Sequence, residues 1–106
     1  MIVISYRSRE LAHRCTKFEI AQQWLGPTNA QALIDLIADA EALENAQALI
    51  DFYDASVHEG DSLEVAFSPQ WKAVLMPIGP KVPRAIGGGP AWEQVRRLML
   101  VDVVEC

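Results

Sequence analysis

GDSLEVAFSPQWKAVLMP, Gly60 to Pro77, is the stretch whose reading decides the fold. Leu63, Val65 and Phe67 alternate with Glu64 and Ala66, the period of a strand with one face inward. Ser68-Pro69-Gln70 turns the chain, because proline presets a turn dihedral and serine bonds the local backbone. Trp71 to Met76 then reads as the next strand. Upstream, Glu59-Gly60-Asp61 is a turn. Before it, Phe52, Asp54, Ser56 and His58 alternate with Tyr53, Ala55 and Val57, which predicts a strand from about Asp51. Residues 51–76 are therefore expected to form a three-strand meander.

The amino-terminal half has a different period. Ile2 to Tyr6 is a first β-rich segment. Ser8 offers a cap for a helix running to about Thr16, with Leu11, Ala12 and Cys15 inward and Arg7, Arg9 and Arg14 outward. A second short helix covers Phe18 to Leu25, and Gly26-Pro27 breaks it. A longer helix follows, capped by Thr28 or Asn29. Ala30, Leu33, Ile34, Ile37 and Ala40 form its inner face, Asp35 and Asp39 its outer one, and it frays after Leu43. Ala46 to Ile50 fits either a continuing helix or a loop. Beyond the meander, Pro77 to Ala91 holds four prolines and Gly87-Gly88-Gly89, which predicts a mobile connection. Trp92 to Val95 reads as a short turn and Leu98 to Val104 as a closing strand.

The order of strand, helices, meander and closing strand predicts an α+β fold, with helices packed on one face of a twisted, mainly antiparallel sheet. At 106 residues the chain is expected to be one domain, residues 1–106. Folding at this size buries roughly 65% of the unfolded surface, enough for one modest core. No apolar run approaches the length of a bilayer span. Met1-Ile2-Val3-Ile4-Ser5-Tyr6 has no basic region before its apolar residues, so no secretory signal is read there and a cytoplasmic location is expected.

Charge is divided unevenly. Between Lys17 and Lys72 there is no Lys or Arg, but there are ten acids, and the net charge is −5. Such a chain repels nucleic acid and anionic membrane unless its few cations cluster. Cys15 and Cys106 are expected to be free thiols. His13, Cys15, His58 and Cys106 lack the paired spacing of a metal site, so no metal and no cofactor are expected. Gly87-Gly88-Gly89-Pro90 lacks the Lys-Ser/Thr sequel of a phosphate cradle.

Several segments, taken in order, resemble the RelE/HigB superfamily of toxin–antitoxin toxins. Leu11 to Cys15, Ala21 and Leu25-Gly26 resemble the family's opening helices. Ala30, Leu33 and the run Asp39 to Leu43 resemble its second helix. Gly60-Asp61, Leu63-Glu64-Val65 and Trp71 to Pro77 are similar to its "Gd…aLdl…yRlvFeP" hairpin. Trp92 to Val95 with Leu98 to Val104 is similar to its closing strand. The resemblance implies a RelE-like β-α-α-β-β-β-β domain, an mRNA-cleaving ancestral activity on or off the ribosome, and an antitoxin protein as partner.

That chemistry requires a base for the ribose 2′-hydroxyl, an acid for the leaving oxygen, and cations for the phosphoryl charge. The candidates here are Lys72 for phosphate and His58 for proton transfer, with Arg84, Arg96, Arg97, Arg7 and Arg14 as nucleic-acid contacts; Arg9 and Lys17 complete the basic segment around the first helix. Trp71, beside Lys72, is a candidate for base stacking. Lys72 stands where the family has Arg, and lysine lacks the two-pronged fork that matches phosphate. The family pattern continues to Tyr and His past the position of Glu105-Cys106. The resulting expectation is a divergent toxin-family protein whose ribonuclease activity is weakened or lost. The alternative is a non-catalytic module that captures an antitoxin or self-associates.

Overall fold

The computed structural model describes residues 1–58, 60–79 and 81–106. The elements run β1 (Val3–Tyr6), α1 (Arg9–Thr16), α2 (Phe18–Leu25), α3 (Pro27–Ala42), α4 (Ala46–Tyr53), β2 (Ser56–His58), β3 (Ser62–Ala66), β4 (Trp71–Pro77) and β5 (Arg97–Glu105), with a 3₁₀ turn at Trp92–Gln94. The strands form one mixed sheet in the order β1-β5-β4-β3-β2. β1 lies parallel to β5, and the other pairings are antiparallel. This is the expected α+β arrangement. Four helices, however, fill the span in which the toxin pattern implies two.

Local chemistry explains most boundaries. Ser8 Oγ accepts from the Leu11 amide at 3.1 Å and opens α1. Gly26, at φ 86°, ends α2 in a conformation that favours glycine. α3 then begins at Pro27, with Gly26 at the cap position, ahead of the expected cap at Thr28 or Asn29. Proline at the first helical position has its dihedral preset and no amide to satisfy, so it supplants a side-chain cap. Asn29 instead donates to Leu25 O at 3.1 Å and to Gln70 Oε1 at 2.9 Å, tying the helix to the β3–β4 turn.

The strand expected from Asp51 is corrected. Asn45 Oδ1 accepts from the Ala48 amide at 2.9 Å and starts a separate helix, α4, which carries Asp51, Phe52 and Tyr53. Gln47 donates to Asp51 one turn on at 3.0 Å. Asp54, at φ 53°, stops the helix in the left-handed region that Asp tolerates. Only Ser56–His58 remains as β2. A two-turn helix contains too few residues for its period to stand out from alternation. Glu59, first residue of the expected turn, lies outside the described residues; Gly60 and Asp61 follow at φ 81° and 67°.

The core lies between the helices and one face of the sheet. Leu33, Leu36 and Ala40 of α3, with Leu49 of α4, meet Leu63, Val65, Ala73, Leu75, Leu98, Leu100 and Val103. Leu36 takes the buried position expected for Ile34 and Ile37, which are half-buried. Trp24, Trp71 and Trp92 pack at the core's edge, and the rings of Trp24 and Trp71 meet edge-on at 6.2 Å. A register shift between Val74 and Leu75, opposite Leu100 and Asp102, places a bulge in the β4–β5 ladder.

The connection after β4 has one isolated bridge, Arg84 to Pro90, among its described residues; Pro80 lies outside them. Residues 84–89 are exposed, while backbone hydrogen bonds tie the connection at several described positions. Ala91 N–H donates to Pro83 O at 2.9 Å, Ile78 N–H to Arg97 O at 3.2 Å, and Pro90 and Ala91 are buried. Among the described residues no helix is long and apolar enough to cross a membrane.

Candidate functional site on the sheet

Register decides which side chains share the sheet face turned away from the core. Glu64 pairs with Ser56 on one side and Val74 on the other, His58 with Ser62, and Lys72 with Ala66. Leu63, Val65, Ala73 and Leu75 point into the core, so Glu64 and Lys72 point away from it. His58 and Lys72 are each one diagonal step from Glu64, within reach of long side chains.

The diagonal closes on one atom. Lys72 Nζ donates to Glu64 Oε1 at 2.7 Å, and His58 Nε2 lies 3.3 Å from the same oxygen. Lys72 and His58, nominated from the sequence as phosphate binder and proton carrier, are thus brought together through a carboxylate between them. The hydrogen bond from Lys72 holds the Glu64 carboxyl below its usual range, with the His58 charge adding to the effect. Reciprocally, the bond to Glu64 raises the Lys72 ammonium. Both groups are therefore fixed more firmly in their charged forms, and each side chain keeps about a quarter of its surface in water (28% and 29%).

The nominated arginines are spread over separate places. Arg84 donates to Asp61 Oδ2 at 2.7 Å across the β2–β3 turn. Arg14 pairs with Glu10 at 2.8 Å and lies over the Trp24 ring at 5.1 Å. Arg7 and Arg14 line a shallow cleft of about 210 Å³ between α1 and β5, which Glu10 and Asp102 also line. Arg96 and Arg97 line a larger cleft, about 370 Å³, at the far end of β4 and β5. The last cleft is some ~17 Å along β4 from Lys72, counting five residues at about 3.3 Å each.

Two participants had gone unnamed. Glu64 was legible: a turn at residues 68–70 pairs Ala66 with Lys72, which sets Lys72 diagonal to Glu64. Lys81, which lines the larger cleft with Arg96 and Arg97, had no such signal, because it lies in an irregular segment. Trp71 sits on the core side against Trp24, on the opposite face from Lys72. Cys15 is buried, and burial pushes its thiol up to about 12, while Cys106 is exposed. Among the described residues no three His, Cys, Asp or Glu side chains gather to hold a metal.

No family model, no curated protein and no solved structure matches the chain.

Proposed function

We propose that this chain is a divergent relative of the RelE/HigB toxins in which RNA cleavage is weakened or lost. The observation that carries the reading is the shared oxygen: Glu64 Oε1 occupies the position between Lys72 Nζ and His58 Nε2 where a phosphate would have to sit. A carboxylate there opposes an incoming phosphate by charge and engages the Lys72 ammonium. The ordered segments described above support the family relationship.

Induced expression in bacteria tests this reading. Growth is expected to continue unchanged. Strong growth arrest that disappears in Lys72→Ala would overturn it.

A second reading, a non-catalytic protein-binding module, is favoured by the β2 edge. β2 ends the sheet, so among the described residues one side of its backbone has no neighbouring strand. Val57 on β2 is 50% exposed, and Phe52 in the last turn of the preceding α4 is 65% exposed. Ten acids between residues 19 and 64 suit a basic partner. Light scattering after size exclusion tests self-association through this edge. The edge reading expects an oligomer that Val57→Lys disperses, and a monomer at high concentration would remove self-association from it.

A further inference from the structure

The cleft at the far end of β4 and β5 has cations along its walls and, among the described residues, no carboxylate. Lys81, Arg96 and Arg97 line it, together with the apolar surfaces of Pro77 and Val82 and the amide-bearing Gln94. Among the described residues none of its three cations forms an ion pair, whereas Arg14, Lys72 and Arg84 each do. In a chain of net charge −5, three cations with no ion-pair partner among the described residues, gathered around one concavity, mark a focus of positive potential.

The walls are built in advance. Val3 N–H donates to Arg96 O at 2.8 Å and Ile78 N–H to Arg97 O at 3.2 Å, so the backbones carrying both guanidinium groups are fixed. Ala91 N–H donates to Pro83 O at 2.9 Å, which holds another lining residue in place. A preset backbone confines the ordering cost of binding to the three exposed side chains.

The geometry points to a binding site for a small phosphate ester of the nucleoside diphosphate class. Its phosphoryl groups meet Lys81, Arg96 and Arg97, and two such groups carry about as much negative charge as these residues carry positive. Its apolar body rests on Pro77 and Val82, and Gln94 offers both a donor and an acceptor to a polar ring edge. The volume of about 370 Å³ lies in the range of small-ligand clefts. Charge also favours a small occupant over a long polyanion. An ester confined to the cleft is screened from the acidic surface beyond about 10 Å at 0.1 M salt. A nucleic-acid strand running out of the cleft meets that surface.

This site is independent of the sheet-face reading above, and neither stands or falls with the other. Isothermal titration calorimetry of the full chain with ADP, and separately with inorganic pyrophosphate, tests it. One-to-one saturable binding of ADP is expected, weakened at least tenfold in Arg96→Gln and in Lys81→Gln. Amide NMR shifts on titration are expected to concentrate at Ile78, Val82, Gln94 and Arg97. Lys81 lies outside the helices and strands, so its replacement keeps the test valid should Arg96→Gln unfold the chain. Absence of saturation at millimolar ADP, unchanged affinity in Lys81→Gln, shifts that map elsewhere, or binding of an oligoribonucleotide with none of ADP would each overturn the assignment.

Discussion

Lys72 Nζ sits 2.7 Å from Glu64 Oε1, across two antiparallel strands and one diagonal step of register. The bond raises the lysine and lowers the glutamate together. Replacing Glu64 by Gln removes the negative partner while keeping the side chain's shape. The Lys72 pKa is then expected to fall back toward the ordinary lysine value, about 10.4. Carbon-detected NMR titration of the lysine side chains measures it. An unchanged Lys72 titration in Glu64→Gln would show that the pair is not formed in solution.

The same pair gives the fold a pH signature. Glu64 has its carboxyl lowered by folding, so its contribution is present above the usual carboxylate range and is lost as pH falls through the lowered value. Lys72 has its ammonium raised, so its contribution is complete below the ordinary lysine pKa and is lost as pH rises through the raised value. The stability difference between the wild type and Lys72→Met is therefore expected to be flat through neutrality and to shrink at both extremes. Thermal melts of the two proteins across pH measure it. Partial exposure keeps the plateau small. A difference that grows on acidification would contradict the sign.

Leu33 is fully buried where α3 faces the sheet. Leu33→Ala is expected to cost about 2–5 kcal/mol, the range for a leucine truncated in a core that relaxes only partly. Val57, half exposed on β2, is expected to change stability by less than ~0.5 kcal/mol when truncated to Ala. Urea denaturation followed by circular dichroism compares them. Equal costs at the two positions would mean that the helices do not pack on the sheet as described.

How much of this was legible depends on the length over which a period runs. β3 shows alternation beside a proline turn, and the structure keeps Leu63 and Val65 inward, with Phe67 just past the strand's end; β4 forms where Trp71 to Met76 reads as a strand. α3 is long enough to declare itself: Ala30, Leu33 and Ala40 are buried as expected, and Leu36 joins them where Ile34 and Ile37 are only half-buried, because periodicity marks a stripe and packing chooses within it. α4 was half-hidden: eight residues, with Phe52 and Tyr53 strand-like in propensity, held as helix by Asn45 and by the burial of Ala46 and Leu49. At the candidate site, Lys72 and His58 were legible from residue type. The atom joining them required the register. Lys81 joins Arg96 and Arg97 only through the path of the connection, which no local pattern encodes.

The two cysteines differ in environment. Cys15 is buried in the core and its thiol is pushed up to about 12 by burial, while Cys106 is exposed. A thiol reagent at pH 8 is expected to label one cysteine quickly and the other only on unfolding, since the thiolate is the reacting form. Mass spectrometry of the labelled peptides identifies each. Rapid labelling of Cys15 in the native protein would show α1 to be opened.

The Lys72 ammonium is already engaged by the protein's own Glu64 carboxylate. The most direct measurement is a time course of cleavage of a labelled messenger transcript by the purified protein, run beside Lys72→Ala and Glu64→Gln. Wild-type cutting is expected at background, indistinguishable from Lys72→Ala. Robust cutting by the wild type that Lys72→Ala abolishes would contradict it.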